Sequence, residues 1–574
     1  MRMCRGNAQN FDDQRMNKNL KGKRFDEVEA VKTASIRALE NIKVEECQKC
    51  FKQWEKRLEK LTATEGILLK SSTTGMSAAG DTEVQGLYRD CGVLVTGATG
   101  FLGKLTIEKI LRSCPGVRTV YALVRPKRGL SVDQRKKALL DNVVFDRMKR
   151  ERPDSVDKIV FVAGDCSSPR LGLSDSDYHH LTQHVNIVLH LAATVRFNEH
   201  LKVAVDTNVK GTIEVINLCH SCNSLKAAVF VSTAYSNCHQ NLVKEEFYDP
   251  HFTVEDTVYL LQNITEHELE PLCEKLISPW PNTYVFSKAV AEHAILTQGK
   301  DLPAVVVRPS IVISTIKEPL LGWVDNMYGP ISIAVGVAYG ILHVSYTNEH
   351  GLLHIIPADM VTNCIITSAL TADKRSEDIP VYNIAMPASN PVTVKTFTNS
   401  LYKVAHNFPL KSAIWYPFVI FVNNWNVYLF LAFFLHFLPG CLLDLVLRLK
   451  GKKPIILNIY KKIQKHLRHT NYFTRQNWIF ACENTKNLYQ RLNTRDKELF
   501  AFDPDAINWD ETLTAVGIES TKYLLNESPN DLNFSRTKYK MFYIAHTLLK
   551  IVLWGVAIYT LKFLLYSFYD RKTV

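Results

Sequence analysis

From Val93 onward, short, apolar, β-branched runs alternate with longer stretches in which apolar positions recur every three or four residues. The runs are 93–95, 120–124, 159–162, 187–191, 228–231 and 305–307. Each is apolar throughout except for His190, as strands buried on both faces are, so the pattern predicts a parallel sheet with helices on either side. Phe101-Leu102, Leu105, Ile107 and Ile110-Leu111 supply the first of those helices, with its apolar side on the sheet. In such a sheet ligands lie beyond the carboxyl ends of the strands, so the chemistry belongs there.

The pattern changes at both ends of the chain. Cys47, Phe51, Trp54, Leu58 and Leu61 alternate spacings of four and three among charges, which predicts an amphipathic helix or a short coiled-coil seam within an N-terminal extension, 1–86. Residues 70–82 are small and polar, a linker composition. Residues 541–568 are apolar enough and long enough to cross ~30 Å of hydrocarbon as a helix. Lys550 and Lys562 interrupt that run away from its centre and can snorkel, so a transmembrane tail is favoured over an interfacial helix. A second apolar stretch, 427–438, stops at Pro439-Gly440 and is too short to span; it reads as a buried core helix or a lip dipping into the membrane.

The first strand runs into TGATGFLGK (96–104). Gly97 permits the tight turn, Gly100 lets backbone approach a pyrophosphate, and Gly103 lets the helix pack close to the strand. The pyrophosphate would rest on the first N–H groups of the helix, those of Phe101 and Leu102, with the Thr96 and Thr99 hydroxyls as further donors. After the second strand comes Arg125-Pro126-Lys127-Arg128, where an NAD site carries an acid. Cations there suit a 2′-phosphate, so Arg125 points to NADPH as the cofactor.

The other strand ends fit a dinucleotide. Asp165, after Gly164, is placed near the adenine; Ala192, Ala193 and Thr194 are small enough to admit the ribose; Ser232 and Thr233 expose hydroxyls beside the nicotinamide. Tyr284 and Lys288 stand four apart, on one face of a helix that precedes the 305–307 strand. A phenol has a pKa near 10, and an adjacent ammonium is expected to lower it for proton transfer.

Composition restricts the rest. With 574 residues, 46% of them hydrophobic and 22% charged, the chain holds two globular domains and appendages. A net charge of +12 without a basic, aromatic stripe argues against nucleic acid as a partner. Thirteen cysteines and no apolar leader at Met1 predict a reducing, cytosol-facing setting. Cys47 and Cys50 form one CxxC with no second pair at zinc spacing, so no metal site is expected.

These motifs together resemble the extended short-chain dehydrogenase/reductase superfamily, and within it the alcohol-forming fatty acyl-CoA reductases. TGATGFLGK (96–104), HLAATVRFNEHL (190–201), NVKGT (208–212), VSTAYSN (231–237), YVFSKAVAE (284–292), VVRPSIV (306–312), GWVDN (322–326) and IPADMVTN (356–363) carry the likeness. A weaker match over roughly 390–510 is similar to the helical domain that accompanies these reductases. The fold implied is α/β: a Rossmann-type doubly wound parallel sheet over 87–365, a helical C-terminal domain over 366–525 and a C-terminal membrane helix at 541–568. Thr233 and Tyr284 would polarise the substrate carbonyl, with Ser232 a competing hydroxyl, and Lys288 would tune the tyrosine and bridge the cofactor ribose. Asn208 joins the cofactor-binding set, and Pro309 and Ile311 would meet the nicotinamide amide. The implied reaction is NADPH-dependent reduction of a long-chain fatty acyl-CoA to a primary alcohol, by way of an aldehyde, at an endoplasmic reticulum or peroxisomal membrane. A reductase stopping at the aldehyde, an epimerase or hydroxysteroid-type dehydrogenase, and a non-catalytic NADPH sensor are the alternatives.

Overall fold

The computed structural model describes residues 80–125, 131–373, 378–527 and 532–570. The N-terminal seam at Cys47–Leu61, the Cys47/Cys50 pair and the cations Lys127 and Arg128 lie outside them.

Seven parallel strands form the central sheet: β1 (Gly92–Thr96), β2 (Thr119–Val124), β3 (Ile159–Ala163), β4 (Val185–His190), β5 (Ala227–Val231), β6 (Ala304–Pro309) and β7 (Val381–Ile384), in the order β7-β6-β5-β4-β1-β2-β3. Successive side chains of a strand point to opposite faces. Here Val93, Val95, Val305 and Val307 enter one core, and Leu94, Val188, Phe230 and Val306 enter the other. Both layers are buried across β1, β2 and β4 to β6, which explains why those strands read as apolar runs, while the edge strand β3 leaves Val160 exposed.

Helix α1 (Phe101–Ser113) covers the first face, and α2 (Gly211–Ser221) with α3 (Thr283–Gln298) covers the second. Helix α4 (Ala358–Ser368) packs on α1. The strand order reverses at β1, between β2 and β4, which opens a crevice at the carboxyl ends.

The C-terminal part is mainly helical: α5 (Val394–Asn407), α6 (Ile456–Arg475), α7 (Trp509–Leu525) and α8 (Leu532–Asp570). Short parallel pairs tie it to the Rossmann part, Ile479–Phe480 to Leu242–Val243 among them. The apolar stretch at 427–438 departs from expectation. A π-helical turn at Phe433–Phe437 absorbs Pro439, which has no N–H to give, and the helix runs on to Leu449. The resulting 25-residue run, Trp425–Leu449, is long and apolar enough to cross a membrane, and only 22% of its most apolar 18-residue window is buried, so it is not a core helix. Asn533–Phe563 within α8 also passes that test, and 0% of its window is buried.

Candidate active site

The turn after β1 has no room for side chains. Gly97 has φ +68°, and a Cβ there would stand 2.8 Å from the Ala192 nitrogen; one on Gly103 would stand 2.2 Å from the Gly97 carbonyl oxygen. Gly100 caps α1 with no side-chain acceptor, leaving the first N–H groups of the helix for a ligand. The GWVDN segment covers the start of this helix: Trp323 lies 5.3 Å from Phe101, and Lys104 is paired with Asp325 at 2.6 Å.

Thr96 is fully buried and joins strand ends. Its hydroxyl shares a 2.8 Å hydrogen bond with His190 Nδ1 and accepts from the Leu191 and Ala192 N–H groups at 3.2 Å. The chain continues from His190 Nε2 to Thr212 at 3.3 Å, and from the Thr212 hydroxyl to the Asn208 carbonyl at 2.7 Å. Asn208 is also wholly buried; its amide donates to the Thr194 carbonyl at 3.1 Å and to Ser287 Oγ at 3.0 Å, and accepts from the Thr194 N–H at 2.9 Å. Thr96 and Asn208 thus hold the Ala192–Ala193–Thr194 ledge in place from behind. Burial, with the Lys288 charge, pushes His190 down to about 3, so it is neutral.

At the end of β2, exposed Arg125 acquires a partner that the motifs did not reveal. Arg135 donates to the Arg125 carbonyl and, at 3.2 Å, to the Thr99 hydroxyl. Burial and the Arg125 charge both lower the Arg135 pKa, as expected where two cations share a site. The signal for it was Ser131, followed three residues later by Gln134: a capping box that fixes the helix carrying Arg135. Asp165, at the end of β3, accepts from the Ser167 N–H and hydroxyl at 3.0 and 2.9 Å.

The hydroxyl group is built from three elements. Asn282 caps α3 by accepting from the Val285 N–H at 3.1 Å, which sets Tyr284 in the first turn and Lys288 one turn on. Thr233, at the end of β5, lines the same cavity as Tyr284; its hydroxyl donates to the Pro309 carbonyl at 3.4 Å and accepts from the Tyr235 N–H at 3.3 Å. Ser232 points elsewhere: its hydroxyl donates to Glu292, which holds Arg308 at 2.6 and 3.0 Å in a buried ion pair. Thr233 is therefore the hydroxyl beside the phenol.

The Lys288 ammonium donates to the Val231 carbonyl at 2.8 Å, and burial lowers it to about 8 against the opposing pull of Glu292. Tyr284 is not lowered as the spacing had suggested. Burial raises it to about 12, opposed by the Thr233 hydroxyl, so at neutral pH it is a phenol with a proton to give.

From Tyr284 and Thr233 a cavity of about 480 Å³ extends between the Rossmann part and the helical part. Phe197, Ile333, Val337, Phe397, Val419 and Phe473 form its walls, while exposed Arg196, Lys462 and Lys465 stand at its rim. Phe197 stacks on Tyr284 at 5.9 Å. The buried Ser310 hydroxyl, between Pro309 and Ile311, faces this space with no hydrogen-bond partner. The glycine cradle, the open helix N-terminus and that orphaned hydroxyl fit a nicotinamide dinucleotide with its reactive end at Tyr284. No group of three or more acids, cysteines or histidines placed to hold a metal exists among the described residues.

Comparison with known proteins gives the family. A NAD-binding family model described as male sterility protein matches residues 95–365, and a second with that description matches 435–527. "Fatty acyl-CoA reductase wat" of Drosophila melanogaster is 36% identical, over 85% of this chain and 94% of its own. "Fatty acyl-CoA reductase 1" of Homo sapiens is 34% identical, over 82% of this chain and 92% of its own. The reductase domain that terminates a myxalamid PKS-NRPS pathway is 17% identical, covers 77% of this chain and 92% of its own, and shares the fold alone at a TM-score of 0.50. With the nicotinamide cradle, the Thr233–Tyr284–Lys288 group and relatives at this identity over most of its length, the chain belongs to the fatty acyl-CoA reductase family.

Proposed function

We propose that the protein reduces long-chain fatty acyl-CoA to the primary alcohol, with release of CoA, using NADPH. The observation that carries this reading is the mainly apolar cavity of about 480 Å³ that has Tyr284 and Thr233 in its lining: a space for an acyl chain beside two hydroxyl donors for its carbonyl. When bound, NADPH supplies a hydride to the carbonyl carbon in each of two rounds. Arg125 and Arg135 would hold its 2′-phosphate, the α1 N-terminus its pyrophosphate, Asp165 its adenosine end and Lys288 its ribose.

In the first round Tyr284 and Thr233 donate hydrogen bonds to the oxygen of the thioester as charge develops on it. Collapse of that oxyanion breaks the carbon–sulfur bond, CoA leaves as thiolate, and an aldehyde remains. In the second round Tyr284 gives its proton to the alkoxide. A phenol held near 12 remains protonated until a stronger base forms beside it, and an alkoxide is such a base.

The division of labour is 87–365 for cofactor and chemistry, 87–365 and 366–525 together for the acyl pocket, and 541–568 for anchoring, with the catalytic body on the cytosolic side of an endoplasmic reticulum or peroxisomal membrane. Full-length protein in detergent, given palmitoyl-CoA, should oxidise NADPH in preference to NADH and yield hexadecanol. Tyr284→Phe should abolish turnover while NADPH still binds. No oxidation with palmitoyl-CoA or longer thioesters would refute the reading.

A further inference from the structure

The run Trp425–Leu449 passes a length-and-hydropathy test for a membrane span, yet its packing is incompatible with crossing. The next helix, α6, is fastened along it. A Cβ on Gly440 would stand 3.0 Å from the Tyr460 ring, the ring of His436 stacks on Tyr460 at 5.1 Å, and Asp444 accepts from the Ile455, Ile456 and Leu457 N–H groups at 2.9, 2.9 and 3.0 Å. Asp444 thus caps α6 and closes a helical hairpin. If the first arm crossed a bilayer, the second would be drawn in with it. That arm carries Lys461, Lys462, Lys465 and Arg468, all exposed, and such charges do not enter hydrocarbon unpaired.

The hairpin nonetheless exposes a broad apolar surface. Phe430, Phe434, Phe437, Leu442, Leu445 and Leu449 are all more than two-fifths exposed, a patch of the size and kind that marks a membrane or partner contact. The charge pattern selects the partner. Between 425 and 475 the sequence holds nine lysines and arginines and a single acid, Asp444, which is buried in the cap. Apolar residues beside unopposed cations suit an anionic lipid surface.

The C-terminal helix points to the same surface. Four turns into it, His546 packs on Phe418 at 4.6 Å; Phe418 stacks on His343 at 4.3 Å; and the His343 backbone donates its N–H to His436 of the hairpin at 2.8 Å. The hairpin and the apolar tail therefore leave the body at one place.

We propose that Trp425–Leu449 lies in the membrane plane as one arm of this helical hairpin and, with the cations of α6, seats the rim of the cavity on an anionic lipid leaflet. Lys462 and Lys465 belong to that rim and to α6 alike. An acyl chain then enters the cavity from the leaflet while its polar head remains at the headgroup layer. The entry route rests on the acyl-CoA reading above; the topology does not.

Two measurements on the full-length protein in vesicles of phosphatidylcholine and phosphatidylserine test this. In the first, Lys452→Cys at the exposed hairpin tip is treated with a membrane-impermeant maleimide and mapped by peptide mass spectrometry. The expected result is labelling from the side on which the catalytic body is labelled; labelling only after detergent would mean that the run crosses and would overturn the proposal. In the second, Lys461→Glu with Arg468→Glu, neither of which lines the cavity, should raise the KM for palmitoyl-CoA at least about fivefold on these vesicles and leave it unchanged in detergent. An equal rise in detergent would mean that these cations read the phosphates of CoA, and no rise in either would mean they read nothing; both contradict the proposal. Absence of turnover by the unaltered protein in detergent would sink the functional reading and leave the labelling result standing.

Discussion

Glu292→Leu should destabilise the protein through an orphaned charge. Arg308 has a fully buried side chain, and Glu292 supplies two of its hydrogen bonds, at 3.0 and 2.6 Å. Removing one partner of a buried pair costs about 3–5 kcal/mol. The guanidinium would keep the Lys244 and Glu246 carbonyls, at 3.1 and 2.9 Å, which places the cost at the lower end, about 3 kcal/mol. For a body of about 450 residues, at an unfolding entropy of about 2.1 cal/mol/K per residue, that lowers the melting temperature by roughly 3 °C, read by tryptophan fluorescence in detergent. The charge of Glu292 also opposes the lowering of Lys288, so its loss should move the alkaline limb of the kcat/KM profile below about 8. Adding Arg308→Met should recover at least about half of the lost stability, because an apolar pair leaves no charge uncompensated. A Glu292→Leu melt within about 1 °C of the parent, or a double variant no better than the single one, would refute this reasoning.

Four further outcomes are expected. Arg125→Ala and Arg135→Ala should each raise the KM for NADPH about tenfold and change that for NADH little, a charge-assisted contact at a partly exposed site; equal effects on the two cofactors would remove both residues from the 2′-phosphate. Thr233→Val should lower kcat about a hundredfold or more and Ser232→Ala less than about tenfold; the reverse order would return the role to Ser232. Gly103→Ala, whose Cβ would stand 2.2 Å from the Gly97 carbonyl oxygen, should eliminate NADPH binding measured by fluorescence titration; retained affinity would show that the turn yields. His190 and His354 are held by burial at about 3 and about 4 in the folded protein. Unfolded histidines take protons below ~6.5, so stability is intact above that pH and falls as pH drops, by about 1.4 kcal/mol per unit for each ring; a melting temperature unchanged between pH 7.5 and 5 would contradict this.

The sheet was legible because burial on both faces forces apolar runs, and β1 to β6 lie where those runs fall. The glycine turn was legible because its steric demand admits no other residue at Gly97 and Gly103. What depends on direction was not. Spacing puts Lys288 near Tyr284, but only the fold shows the ammonium turned to the Val231 carbonyl and the phenol raised by burial. A hydroxyl at a strand end looks like a ligand donor, yet that of Thr96 is held by His190 and the backbone of the next strand end. Arg135 lay in an ordinary amphipathic helix and acquires meaning from its approach to Arg125 and Thr99. The end of the 427–438 run was misplaced because a proline is a helix stop locally, and only the preceding π-turn shows that the helix continues. The cavity gathers side chains from segments more than two hundred residues apart, such as Phe197 and Phe473, and no local pattern encodes it.

The central claim is that one site carries an acyl thioester through two reductions. Its most direct test is a single time course with full-length protein and palmitoyl-CoA, following NADPH, free thiol and lipid products together. The account predicts two NADPH consumed for each CoA released, with hexadecanol accumulating and hexadecanal only transient. One NADPH for each CoA with hexadecanal accumulating, or release of CoA without NADPH oxidation, would contradict it.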